Sequence, residues 1–340
     1  MRNFVLGIFL MLVGNSAEAA ESISHHLEGT AEGTELWSPR LLLREQLPDT
    51  GDRSRPVLYV HGATFPSALS VMFKFEGVSW ADNLNLAGFD VFALDFAGYG
   101  GSERYPEMSD ATPSGKPLGR APDAAKQIER AVRFIIRSTG ARSVDIIAHS
   151  WGTIPAGLFA GKHPELVRSL ILFGPIGMRS GSTAETTPAW ELVTAAQQHA
   201  RFVGAAPSRE PRVLLEEYFP AWADAYLASD PESKTRTPHA VKVPGGPSAD
   251  IKAAWGGRLS YSPQDIRAPT MIIRGEWDTT SPDADMKGLR DQLTNAQCVE
   301  MVEITRATHL MHLERGKDEL YAATQRFLGA PARDEDYCSR

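Results

Sequence analysis

Cysteine is nearly absent from this chain: Cys298 and Cys338 are the only two among 340 residues. So sparse a set excludes a disulfide-built scaffold and any multi-cysteine zinc or iron–sulfur site, so an apolar core must hold the fold. A basic excess is missing as well. The formal net charge is −7 and the Lys and Arg residues are scattered, which removes the electrostatic case for nucleic acid as a partner. Beyond the N-terminal region no apolar run is long enough to cross a bilayer, and neither repeats nor low-complexity tracts occur. No His, Cys or carboxylate cluster has ligand spacing, so neither a metal nor another cofactor is expected. The expected partner is a small-molecule substrate, and oligomeric state is left open.

The apolar run at the start, Phe4 to Val13, follows Arg2 and precedes Ala17-Glu18-Ala19, a small-x-small sequence. That combination predicts an export signal over residues 1–19, leaving a periplasmic or secreted protein with no stable membrane association. In an oxidising compartment two cysteines admit one connectivity. A Cys298–Cys338 disulfide is therefore expected to pin the polar tail, residues 329–340, to the body.

What the chain has in abundance is alternation. Short apolar runs at Leu41–Glu45, Pro56–Val60, Val91–Leu94, Val144–Ala148, Ser169–Phe173, Thr270–Arg274 and Val299–Ile304 predict strands, several buried on both faces. Helical patterns lie between them, at Trp80–Ala87, Pro122–Ser138, Thr153–Lys162, Asp283–Leu293 and Leu313–Phe327. Such alternation predicts an α/β fold, a mostly parallel twisted sheet flanked by helices. Residues 20–34 are polar and read as a mobile lead-in. Residues 176–265 are too long for a crossover and predict an inserted, mainly helical subdomain between core segments 36–175 and 266–328. Helical patterns occur there around Trp190–Val203 and Arg212–Ala228, and the Pro/Gly-rich stretch Thr237–Pro247 reads as loop.

Chemistry concentrates at the ends of the predicted strands. Ala148-His149-Ser150-Trp151-Gly152 joins a strand to a helix, a sharp turn that lifts a serine hydroxyl clear of the backbone. Serine is a poor nucleophile at neutral pH and needs a base within reach. His309, on the loop after the last strand, is the candidate base, whereas His312 reads as structural or surface. Asp278 is the candidate to orient the imidazole, with Glu276 competing on the same turn. His61-Gly62-Ala63-Thr64 follows the strand Pro56–Val60, and the backbone N–H groups of Ala63 and Trp151 are candidate donors to an oxyanion. His61 reads as a brace for that loop. The order Ser150, Asp278, His309 is the one expected of a serine hydrolase on an α/β sheet.

Together these residues resemble the α/β-hydrolase fold superfamily, in its capped branch of esterases, proline iminopeptidases, haloalkane dehalogenases and epoxide hydrolases. The resemblance spans residues 36–328 and includes Asp95-Phe96-Ala97-Gly98-Tyr99-Gly100-Gly101-Ser102, which looks like that branch's structural Asp-x-x-Gly-x-Gly-x-Ser turn. Glu314, five residues after His309, also looks like the family pattern. The resemblance implies that the insertion is a cap over the catalytic centre. It also implies an acyl-enzyme on Ser150, where dehalogenases and epoxide hydrolases carry aspartate. Ala148 departs from the usual first glycine of the turn. The expected substrate is a small or medium, largely uncharged carboxylic ester, with Thr64, Phe65, Trp190, Tyr218 and Trp222 as candidate contacts. Two other readings stay open: an iminopeptidase-like amide or peptide hydrolase using Glu216 or Glu217 to bind an amino group, and a secreted binding protein without turnover. Activity is expected to fall in the acid range, as His309 protonates and ceases to act as a base.

Overall fold

The computed structural model describes residues 22–29, 38–181, 186–208 and 213–330. Its strands are β1 (Ser22–Leu27), β2 (Leu41–Gln46), β3 (Pro56–Val60), β4 (Asp90–Asp95), β5 (Val144–His149), β6 (Val167–Phe173), β7 (Trp190–Thr194), β8 (Ala240–Pro244), β9 (Thr270–Gly275) and β10 (Val299–Ile304). The α-helices are α1 (Trp80–Leu86), α2 (Ala121–Thr139), α3 (Thr153–Lys162), α4 (Ala195–Val203), α5 (Phe219–Ala228), α6 (Gly246–Trp255), α7 (Asp283–Gln292) and α8 (Lys317–Gly329).

One eight-stranded sheet runs in the order β1-β2-β4-β3-β5-β6-β9-β10. β2 pairs antiparallel with both β1 and β4, and every pairing from β4 across to β10 is parallel. Parallel pairing brings the C-terminal ends of β3, β5, β9 and β10 to one edge. The order switches at β3, with β4 on one side and β5 on the other, so the loops leaving β3 and β5 part and leave a crevice between them. Side chains along the central strands alternate between two apolar layers: Val57 and Tyr59 pack with Trp80 and Phe327, Leu58 and Val60 with Ile128 and Phe159. In α2 the stripe Ile128, Val132 and Ile135 is buried, and the helix closes at Gly140 in the left-handed conformation, φ 76°.

Three elements differ from the sequence expectation. The polar segment read as mobile contains β1, an exposed edge strand held by its ladder to β2 and by His25, which binds Glu45 at 2.5 Å and packs on Phe134. Pairing rather than hydrophobicity makes it a strand. Leu313 sits in a short 3-10 turn, Met311–Leu313, and α8 starts only at Lys317 because Glu314 turns back extended towards Thr308. The insertion is not only helical: β7 and β8 form an antiparallel ribbon with Val193 opposite Val241. Thr237–Pro247 was masked by its prolines and glycines, yet Pro244 falls at the ribbon's end, where the ladder tolerates it, and Pro247 lies in the first turn of α6. The segments 1–19 and 331–340, including Cys338, lie outside the described residues.

Candidate active site

β5 delivers its chain into a turn so tight that Ser150 adopts φ 56°, a left-handed conformation that is rare and strained for a residue with a side chain. Neighbouring positions must be small. A Cβ on Gly152 would come within 2.4 Å of the His61 carbonyl oxygen, and one on Gly62 within 3.1 Å of Ser150 Cβ. Ala148, in place of the usual glycine, is fully buried in the strand. The turn leads through a 3-10 segment, Ser150–Gly152, into α3.

The structure brings together the three residues that the sequence singles out. His309 Nε2 lies 2.8 Å from Ser150 Oγ, and His309 Nδ1 lies 2.8 Å from Asp278 Oδ2. With Nδ1–H donated to the carboxylate, Nε2 is left as the acceptor for the serine proton. Asp278 is held by its other oxygen, which accepts the backbone N–H groups of Thr280 and Ser281, each at 2.9 Å. Burial raises its pKa, but the His309 charge and these hydrogen bonds outweigh that, and the net shift is downward. Glu276, the competing acid, is exposed and accepts the Arg306 N–H instead. Gly174, φ 53°, makes room for the pair: a Cβ there would sit 2.9 Å from His309 Nδ1.

After β3, His61 Nδ1–H donates to the Gly62 carbonyl at 2.7 Å while its Nε2 accepts from Phe96 N at 3.1 Å. Burial pushes its pKa down to about 4, so it stays neutral and braces the loop. A trans peptide points C=O and N–H in opposite directions, so tying the Gly62 carbonyl to His61 turns the Ala63 N–H away from that ring. The Ala63 carbonyl is tied in turn by the Tyr99 hydroxyl at 2.5 Å. Asp95 is structural: its carboxylate accepts from Ser67, Gly101 and Arg44.

Behind the turn lie two more buried histidines. His149 donates Nε2–H to the His309 carbonyl at 3.0 Å and stacks on Phe173. His312 is structural rather than exposed, with Nε2 2.8 Å from Ser70 Oγ and its pKa pushed by burial down to about 3.

The predicted substrate contacts divide. Phe65 is buried edge-on against Trp222, and Tyr218 is half-buried beside Phe75. The Thr64 hydroxyl accepts from Arg201 in α4 at 2.7 Å. Trp190 and Trp222 are both held by protein contacts. The Trp222 indole is fully buried, donates to the Leu69 carbonyl and stacks on Phe219 and Tyr226; Trp190 donates to the Glu107 carbonyl under the Lys242 ammonium. Both brace the insertion. Glu216 is tied to His199 at 2.9 Å and Glu217 is exposed. Sequence reasoning passed over Gln198 and Arg201, because polar residues on a helix carry no signal of the loop they will reach. Cys298 is buried immediately before β10, and no group of three or more metal-ligating side chains occurs among the described residues.

A family model described as the alpha/beta hydrolase fold matches residues 55–316. A 2-hydroxymuconate semialdehyde hydrolase of Pseudomonas putida is 26% identical over 234 residues, 66% of this chain and 73% of that protein. A probable lysophospholipase of Arabidopsis thaliana, BODYGUARD 3, is 26% identical over 135 residues, 40% of this chain but 24% of the plant protein. Among solved structures, the thioesterase domain from the curacin biosynthetic pathway gives a TM-score of 0.60 at 16% identity, covering 91% of this chain and 100% of that one. The 2-hydroxy-6-oxo-6-phenylhexa-2,4-dienoate hydrolase from Rhodococcus sp. strain RHA1 gives 0.57 at 18% identity, covering 92% and 100%. With the family model spanning most of the sheet and every loop of the Ser150 site, the chain belongs to the α/β-hydrolase fold family.

Proposed function

We propose that this protein is a serine hydrolase that cleaves small or medium carboxylic esters through an acyl-Ser150 intermediate. The observation that carries this reading is the unbroken line from Ser150 Oγ through His309 to Asp278, with 2.8 Å at each step. His309 Nε2 takes the serine proton as Oγ bonds to the ester carbonyl carbon, and Asp278 balances the imidazolium charge. The tetrahedral oxyanion accepts from the N–H groups of Ala63 and Trp151, each worth about 3–4 kcal/mol in the transition state. The imidazolium then gives its proton to the leaving alkoxide. Water repeats the sequence on the acyl-enzyme, releasing the acid and restoring Ser150. The insertion acts as the cap, since its α4 and α5 pack on the loop after β3.

Hydrolysis of a p-nitrophenyl ester series, with folded Ser150→Ala protein alongside, tests the reading. Turnover confined to the unsubstituted protein supports it, and equal turnover by the two sinks it.

Export belongs to the same proposal, on the strength of Arg2, the Phe4 to Val13 run and Ala17-Glu18-Ala19. A chain recovered from the cell exterior or periplasm should begin near Ala20; one that still begins at Met1 would overturn it. A Cys298–Cys338 bridge would then contribute about 4 kcal/mol in the chain-entropy model. Two titratable thiols in unreduced protein would reject the bridge.

A further inference from the structure

Helix α4 turns Gln198 and Arg201 towards the loop after β3. The fully buried Gln198 reaches the Thr64 carbonyl at 3.5 Å, and Arg201 Nη1 donates to Thr64 Oγ1 at 2.7 Å and to Gln198 Oε1 at 3.4 Å. Thr64 adjoins Ala63, whose N–H is assigned above to the oxyanion. The guanidinium is therefore anchored one residue along the chain from that donor. Its charge also reaches His149, next to Ser150, where it adds to burial and to the neighbouring imidazoles in keeping that ring neutral.

Arg201 has no carboxylate partner among the described residues. Arg179 and Arg236, in the same insertion, each hold one: Asp285 for the first, Asp230 and Glu232 for the second. Arg201 is crowded by protein, and this desolvation pulls its pKa down, yet the residue remains exposed. The contacts to Thr64 and Gln198 occupy Nη1 alone. The Nε and Nη2 donors form the edge that matches a carboxylate's two oxygens.

We propose that Arg201 receives a carboxylate carried by the substrate, an inference that rests on the serine hydrolase reading for its reaction. The preferred esters are then apolar bodies bearing one carboxylate, such as half-esters of dicarboxylic acids. This narrows the sequence expectation of a largely uncharged ester by adding a single negative group.

Equilibrium binding to Ser150→Ala protein separates this inference from the catalytic one. Monomethyl glutarate carries its charge on the acyl side, acetoxyacetate on the alcohol side, and dimethyl glutarate is neutral. At least one of the two anions should bind roughly 10- to 100-fold tighter than the diester. Arg201→Gln should erase that preference, Arg201→Lys should restore part of it, and added salt should shrink it. If neither anion outbinds the diester, or if the preference survives Arg201→Gln, the assignment of Arg201 is overturned. Failure of unsubstituted protein to hydrolyse any of the three would count against the hydrolase reading, while the binding comparison still decides the role of Arg201.

Discussion

The sheet edge and the insertion packed on it use their side chains in opposite ways. At the edge, orientation comes from the main chain and from small residues: Ser150 at φ 56°, Gly174 at φ 53°, and Gly62 and Gly152 where a Cβ would collide. In the insertion, bulk dominates. Phe202, Phe219, Trp222 and Tyr226 pack on one another with ring centroids 4.9–5.8 Å apart, and the Trp222 N–H is committed to a backbone carbonyl. Large aromatic residues there are core, and the polar Gln198 and Arg201 reach the catalytic loops. Size in the insertion thus marks packing, whereas at the sheet edge chain geometry sets the side chains in place.

Three substitutions try to break that contrast. Ser150→Ala should lower ester turnover on the order of 10⁵-fold with little change in unfolding midpoint, because it removes a reacting atom and leaves the packing intact. Trp222→Ala should do the reverse, costing about 3–5 kcal/mol in denaturant unfolding with a far smaller effect on kcat. A collapse of kcat without loss of stability would instead make Trp222 a substrate contact. Gly174→Ala falls between them. Its Cβ would crowd His309 Nδ1 at 2.9 Å from a strained backbone, so the imidazole must shift and kcat should fall about 100-fold. Unchanged kcat would show that the pair tolerates displacement.

The same contrast explains what was legible in the sequence. Strands β3 to β6 and β9 announced themselves as apolar runs because they are buried almost throughout in the middle of the sheet, and Ser150, Asp278 and His309 followed from their places at strand ends. β1 was illegible because Ser22–Leu27 is stabilised by a neighbouring strand and by Glu45, neither of which its own composition reveals. The β7–β8 ribbon was hidden because its partners stand more than forty residues apart around glycine and proline. The packing of Trp190 and Trp222 was not legible because an aromatic residue in an insertion has the same appearance whether it meets a ligand or another ring. The Arg201–Thr64 contact gave no sign, since its two residues stand far apart in the chain.

Glu314 stands at the joint between the two regions, and the smallest effect sharpens the comparison there. Its backbone bridges to Leu214 of the insertion, while its carboxyl accepts from Thr308 N and Oγ1, next to His309. Burial is the chief cause of a pKa pushed up to about 7; the Thr308 hydrogen bonds act the other way and the Asp278 charge adds to it. The folded chain therefore holds this proton where the unfolded chain has released it, between the ordinary glutamate range and about pH 7. Its contribution to stability is complete below that window and is lost as pH rises through it, on the order of 1–3 kcal/mol. Glu314→Gln keeps the shape, accepts from Thr308 N and cannot ionise. Urea unfolding at pH 5 and pH 8 should show a smaller loss with rising pH in the variant than in the unsubstituted protein, and an equal or higher midpoint at pH 8. Parallel losses in the two proteins would mean that the Glu314 carboxylate is already satisfied when charged, and that the joint is held by Thr308 alone.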